Sequence, residues 1–448
     1  MKKNLKDIKE MLEFIEKSPT AFHAVANAEE MLKKAKFTEL KEREKWLVVP
    51  NGRYYVKRNS SSIIAFTVPA DGYGPYRIVA SHSDSPNFKI KEVAGLIRGE
   101  YVCLNTEGYG GMILSTWLDR PLSIAGRVFT EECDGNGHCC QNCNGIVERL
   151  MNMEKDTVLI PNLAIHMDRS MNDGYKFNKQ VDMMPLWGMK DGGGKISLME
   201  MVAEAAGVDK DKILGSDLFV YNRQKGSVWG AEDEFVSSPQ LDDLACAFSS
   251  LKAITDEKVL KEHAEPAEKS YAKGKINVCA IFDNEEVGSG TKQGADSTFL
   301  SDVLKRIALA MGESEEEFLR ALADSRMLSA DNAHAAHPNH MDKTDETNRC
   351  FLNHGIVVKF NAAQHYSTDG ASAAYVKKLC KAEKIPMQVF ANRSDVAGGS
   401  TLGNISGAHI SIDTADIGLP QLAMHSAYET MGTEDLGSMI KLMKTFYL

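Results

Sequence analysis

The chain has 448 residues and no long apolar run. A membrane-crossing helix needs roughly 20 consecutive apolar residues, so none is expected. The opening segment, MKKNLKDIKEMLEFIEK, alternates charged and apolar positions where a secretory signal would be continuously apolar. Positive charge is also scarce: 52 Lys and Arg stand against 62 Asp and Glu, a formal net charge of -10. Nucleic acid and anionic membrane both reward cationic surfaces, so neither is expected as a partner. The nine cysteines show no disulfide framework. Cys133, Cys139, Cys140 and Cys143 crowd into CDGNGHCCQNC, which has one CxxC pair and no second at finger spacing. A loop of reduced thiols is expected there, not a structural zinc. The stretch DGGGKIS lacks the spacing of a phosphate loop and has Ile196 where a hydroxyl should stand, so it reads as a surface loop. The opening segment, the lack of a spanning run and the cysteine usage predict a cytoplasmic location.

What is present suits a globular enzyme: 43% hydrophobic and 25% charged residues. The length favours two domains, although one large α/β domain carrying an insertion would look similar. Leu5, Ile8, Leu12 and Ile15 share one helical face, and SPT breaks that helix and caps a second from about Ala21 to Lys34. Asn51-Gly52 between apolar runs predicts a hairpin. From about 86 to 230, glycine and short β-type runs dominate. This predicts a β-rich domain inserted between residues 1–85 and 231–448. Beyond 232 the pattern alternates: LDDLACAFSSLKAI helix, KINVCAIFD strand, TFLSDVLKRIALAM helix, RMLSAD and GIVVKF strands, ASAAYVKKLCKAE helix. Such alternation predicts an α/β domain with a mainly parallel sheet covered by helices.

Three segments bearing acids or histidine each follow a predicted strand: RIVASHSDSP with His82 and Asp84, VCAIFDNEE with Glu285 and Glu286, and RMLSADNAHAAHPNH with Asp331. Asp242 and Asp243 in SSPQLDDLA precede a helix, and His425 lies in PQLAMHSAYE. Adjacent acids such as Glu285 and Glu286 are ordinarily a solvated turn, and a lone histidine is ordinarily a hydrogen-bonded surface group. Their recurrence at successive strand ends is harder to assign to the surface, because ligands of open α/β sheets bind beyond the strand carboxyl ends. Imidazole with carboxylate suits zinc, manganese or cobalt. Two divalent ions would bring four positive charges, of which Asp242, Glu286 and Asp331 offset three; Glu285 would remain to act as a general base.

The segments ASHSDSPNFKIK, SPQLDDL, FDNEEVGSGT, LSADNAHAAHPNH and LPQLAMHSAYE resemble, in order and over nearly the whole chain, the metal-site signatures of the aspartyl aminopeptidases. These are di-zinc exopeptidases. The resemblance implies two zinc ions per subunit, with Mn or Co as substitutes. His82 and His425 would bind one each, Asp242 would bridge them, and Glu286 and Asp331 would complete the two sets. Asp84 would orient His82, Glu285 would be the base, and the peptide after Asp242 would be cis. The resemblance also implies an inserted dimerisation domain, a dodecamer built from dimers, and His166 delivered into a neighbouring subunit's site. Peptides with acidic N-terminal residues would be the substrates, and Lys359 in VVKFNAAQHYS would bind their side chains. The alternatives are a related di-metal aminopeptidase of broad or neutral specificity, a non-catalytic assembly protein, and a dinuclear phosphoesterase, whose signatures do not match these segments.

Overall fold

The computed structural model describes residues 5–131, 145–190, 197–264 and 274–448. The cysteine-rich stretch and the glycine run of DGGGKIS lie outside them. The described strands form three sheets. Nine strands make the largest, in the order Thr38–Glu39, Arg53–Arg58, Ser62–Thr67, Ile276–Phe282, Tyr76–His82, Arg326–Ala330, Asp413–Gly418, Ile356–Phe360 and Met387–Ala391. Its centre is parallel: Tyr76–His82 lies between Ile276–Phe282 and Arg326–Ala330, which in turn pairs with Asp413–Gly418. The hairpin Arg53–Arg58 with Ser62–Thr67 adds antiparallel strands on one side, and Ile356–Phe360 is antiparallel to Asp413–Gly418 on the other. The sheet is therefore mixed.

Alternation along the central strands divides the core. Val79, Cys279 and Ile281 pack with Phe14, Phe248, Met439 and Phe446 in one cluster, against the helices Lys6–Glu16, Leu241–Ile254 and Asp435–Tyr447. Their neighbours Ile78, Ala80, Val278 and Ala280 face the other way, onto Phe299, Leu304 and Ile307 of the helix Phe299–Ala310. A strand with both faces covered reads as a continuous apolar run, as INVCAIF does. A six-stranded sheet uses only strands between residues 87 and 222, and a five-stranded one joins Ser227–Trp229 and Phe235–Ser238 to Glu429–Gly432, Pro420–Leu422 and Ala333–His334.

Two local expectations change. Met11 and Phe14 share the buried face of the first helix with Ile8 and Ile15, while Leu12 is only partly buried. The hairpin loop is Asn59-Ser60-Ser61, between the paired Arg58 and Ser62, with Asn59 and Ser60 at positive φ (57° and 54°). Asn51-Gly52 instead turns the chain into the first strand of that hairpin.

Candidate metal centre

The central strands deliver their ligand types to one edge. His82 ends Tyr76–His82 in register with Phe282, three residues before Glu285. Asn284, at φ 63°, reverses the chain into the short turn Glu285–Val287. Asp331 follows Arg326–Ala330 directly. Asp242 and Asp243 sit in the first turn of Leu241–Ile254, joined by a cis peptide bond. His425 occupies a positive-φ position (66°) between Pro420–Leu422 and Glu429–Gly432.

These side chains meet. His82 Nε2 lies 3.6 Å from Asp242 Oδ1 and 4.0 Å from Asp331 Oδ1. His425 Nε2 lies 3.6 Å from Asp242 Oδ2 and 3.4 Å from Glu286 Oε2. Two donors on one tetrahedral zinc, each about 2.0–2.1 Å from the metal, stand about 3.3 Å apart, so these spacings fit a shared cation. Three overlapping groups have ligand atoms within 4.8 Å of one another: His82, Asp242, Asp243 and Asp331; His82, Glu285 and Glu286; and Asp242, Glu286 and His425. Asp242 Oδ1 and Glu286 Oε1 are buried and have no hydrogen-bond partner among the described residues. Buried carboxylate oxygens without donors are costly, and a cation relieves that cost.

The other ring nitrogens are committed. His82 Nδ1 donates to the Asp84 carbonyl at 3.0 Å, with the Asp84 carboxylate at 3.4 Å. His425 Nδ1 donates to the Gly111 carbonyl at 2.8 Å. Each bond leaves Nε2 as the electron-pair donor facing the cluster. The protein's own charges do not balance it. Burial, then the charge of Asp242, pushes Glu286 well above the ordinary carboxylate range. Glu285 is pushed up to about 8 by burial, with His82 opposing and Asp331, Asp84 and Asp242 reinforcing. Burial works against a charged His82, yet the carboxylates of Asp242 and Asp84 overcome it and raise its pKa well above the ordinary value.

The chain matches the model of the aminopeptidase I zinc metalloprotease (M18) family over residues 14–447. The chain belongs to the M18 aminopeptidase family. It is 43% identical over 455 residues to the probable M18 family aminopeptidase 2 of Clostridium novyi (strain NT), with all of both chains covered. The protein of the same name from Clostridium acetobutylicum is 44% identical over 452 residues, again with all of both chains covered. Among solved structures, a chain of the Ape4 and Nbr1 complex superposes with a TM-score of 0.91 at 33% identity, covering 98% of this chain and 85% of the other. The S. cerevisiae mApe1 dodecamer gives 0.82 at 26% identity, covering 99% and 96%. The protein is thus a zinc metallo-aminopeptidase, a hydrolase.

Within this M18 fold, His82, Asp242, Glu286, Asp331, His425 and Glu285 share one cluster. Asp84 lies beside His82 and does a second job. Its carboxylate accepts the backbone N–H of Glu285 and of Glu286, each at 3.1 Å, fixing the turn that presents both acids. His166 is exposed and lies outside the clusters of its own chain. Lys359 is 2% exposed and faces inward: its Nζ is 3.2 Å from Asp331 Oδ2 and donates to the Asn332 carbonyl at 3.1 Å. Its charge is spent in part on a cluster acid, a pairing the sequence does not display.

Three further residues of the site were given no role by the sequence, although Glu429 closes the segment LPQLAMHSAYE. Glu429 is buried, and its carboxylate accepts the backbone N–H of Asp242 at 3.0 Å and of His425 at 2.7 Å. Tyr109, from the six-stranded sheet, donates to Asp84 Oδ2 and accepts from Asn284 Nδ2, both at 2.7 Å. Gly110, at φ +78°, passes so close that a Cβ there would meet the Glu286 Cβ at 3.1 Å. The adjacent glycines of EGYGGM are the available clue, since close backbone approach is what glycine permits.

Proposed function

We propose that this M18 enzyme removes N-terminal acidic residues, Asp or Glu, from peptides, using two zinc ions and Glu285 as general base. One observation carries the two-ion reading: the two oxygens of Asp242 face different imidazoles, Oδ1 toward His82 and Oδ2 toward His425, each at 3.6 Å. A carboxylate so placed suits a bridge, with His82 and Asp331 on one side and His425 and Glu286 on the other. Zinc held there would supply Lewis acidity, polarising the scissile carbonyl and lowering the pKa of water. Glu285 then takes a proton from the attacking water and returns it to the leaving amine nitrogen as the C–N bond breaks. Asp84 holds the Glu285 backbone in place for both transfers.

The acidic preference rests on Lys359. A chain with net charge -10 does not attract acidic side chains, so a local cation has to receive them. Two of the three ammonium donors reach Asp331 and Asn332, which leaves one for a substrate carboxylate. The pairing of Lys359 with Asp331 also favours a second reading, an aminopeptidase of neutral or broad specificity in which Lys359 only steadies the ligand. Kinetics on N-terminal Asp, Glu, Ala and Leu substrates separate the two. Lys359→Met is expected to lower kcat/KM for Asp and Glu about tenfold or more beyond its effect on Ala and Leu. Equal losses on all four, or a wild-type preference for Leu, would remove the acidic reading.

The sheet between residues 87 and 222 is assigned to an inserted dimerisation domain at 86–230, within a homo-oligomer that we take to be a dodecamer. The dodecameric state of S. cerevisiae mApe1 supports this. Exposed Leu163, Ile165 and Met167 beside His166 support delivery of that histidine to a neighbouring subunit's site. Five free, buried cysteines support a reducing, cytoplasmic setting, and no helix among the described residues is long and apolar enough to cross a membrane.

A further inference from the structure

The opposite end of the same sheet gathers positive charge. Arg77 lies in register with Asn277 on one neighbouring strand and with Arg326 on the other, and Lys275 comes two residues before Asn277. The pleat turns alternate residues to one face, so Arg77 and Arg326 stand side by side on adjacent strands, with Lys275 just before the start of the third. Like charges side by side on neighbouring strands destabilise a sheet unless something offsets them. They open into a cavity of about 560 Å³, lined also by Tyr73, Arg320, Glu317 and Asp324.

The ion pairs leave this charge unbalanced. Arg326 pairs with Asp413 at 3.2 Å, and Arg320 with Glu317 at 3.0 Å. Arg77 donates to the main-chain carbonyls of Tyr76 and Asp324, each at 3.1 Å, and has the Tyr375 hydroxyl and the Asp324 charge beside it; its buried Nε has no hydrogen-bond partner among the described residues. No carboxylate of the described residues lies within ion-pair distance of Lys275 or Arg77. Asp324 is the one remaining acid on the cavity wall. Burial, then repulsion from Arg77, lowers the Lys275 pKa, which is the mark of a cation without a counterion.

We propose that this cavity is an anion site for a phosphate group, free or carried on a small ester, held between Lys275 and Arg77. Guanidinium and ammonium together suit a tetrahedral oxyanion: Arg77, its Nη1 already held by main-chain carbonyls, brings a permanent delocalised charge, and Lys275 a point charge with three rotatable donors. The strands that start here end at His82, beside Glu285, and at Asp331. From Arg77 to His82 is about 17 Å of one rigid strand.

The test is thermal unfolding of the zinc-loaded enzyme at constant ionic strength with increasing inorganic phosphate, repeated with glycerol phosphate. Wild type is expected to gain about 3 °C or more, saturably. Lys275→Gln is expected to lose that gain while melting no lower than wild type in phosphate-free buffer, because an unoffset charge has been removed; Arg77→Gln serves as the second variant. A larger gain with the ester would identify an organic phosphate as the ligand, and a larger gain with the free ion would identify phosphate itself. Equal gains in wild type and both variants would place the anion elsewhere, including at the metal centre, and would overturn the assignment. So would no gain in wild type.

Discussion

The strands Ile276–Phe282, Tyr76–His82 and Arg326–Ala330 end in opposite electrical surroundings. Beyond their carboxyl ends stand Asp283, Glu285, Glu286 and Asp331, with His82 closing its own strand; at their amino ends stand Lys275, Arg77 and Arg326. Between the two lie side chains such as Ile78, Val79, Val278 and Leu328, which are almost wholly buried. An apolar, doubly covered strand has no place for charge along its length, so charge collects where it stops. The difference lies in how each end is finished. The acidic end is cross-braced: Asp84 holds the backbone of Glu285 and Glu286, Glu429 holds that of Asp242 and His425, and Tyr109 ties the six-stranded sheet to Asp84. The basic end has a cavity and few internal partners. A site that must present reacting groups in fixed geometry needs such bracing, and a site that only collects an ion does not.

The largest effect should come from the acidic end. Glu285→Gln keeps the shape of the side chain and loses its basicity, so turnover should fall about 10²–10⁴-fold while zinc content stays at the wild-type level. Steady-state kinetics with elemental analysis of the same sample check this, and near-normal turnover with full zinc would remove Glu285 from the proton path.

A smaller effect concerns stability. In the chelated protein Glu285 is raised from 4.5 to about 8, chiefly by burial. Between those values the folded state keeps a proton that the unfolded chain releases. Unfolding free energy of the chelated protein should therefore fall as pH rises from about 4.5 to about 8. Zinc offsets the same charges, so the gap in Tm between zinc-loaded and chelated protein should widen from pH 5.5 to pH 8. Parallel melting profiles across that range would show that the acids carry no unbalanced charge. The Lys275→Gln comparison in phosphate, a difference of about 3 °C or more, is the mirror experiment at the basic end.

Much of the acidic end was legible in the sequence, because its residues follow strand-like runs and the carboxyl ends of a parallel sheet share one edge. The apolar run of INVCAIF followed by DNEE, and RMLSA followed by Asp331, are local patterns of that kind. What escaped were contacts between segments far apart in the chain. Glu429 closes LPQLAMHSAYE, but its role exists only because Asp242 and His425 bring their N–H groups to it. Tyr109 meets Asp84 and Asn284 only once the six-stranded sheet is docked. Lys359 was visible at a strand end, but not its partner Asp331, and that pairing changes what its charge can do. Asn51-Gly52 carried the stronger turn signal, yet Asn59-Ser60-Ser61 closes the hairpin, because register with Ser62–Thr67 and burial of Tyr55 and Ile64 set where the strands pair.

In the function we propose, one carboxylate, Asp242, stands between two zinc ions at the carboxyl edge of the sheet. Metal analysis of the purified, zinc-saturated protein tests it most directly, with Asp242→Ala measured beside wild type. Two zinc ions per chain are expected in the wild type, with loss of bound zinc in the variant. A fully active wild type with one zinc per chain, or a variant that keeps two, would contradict it.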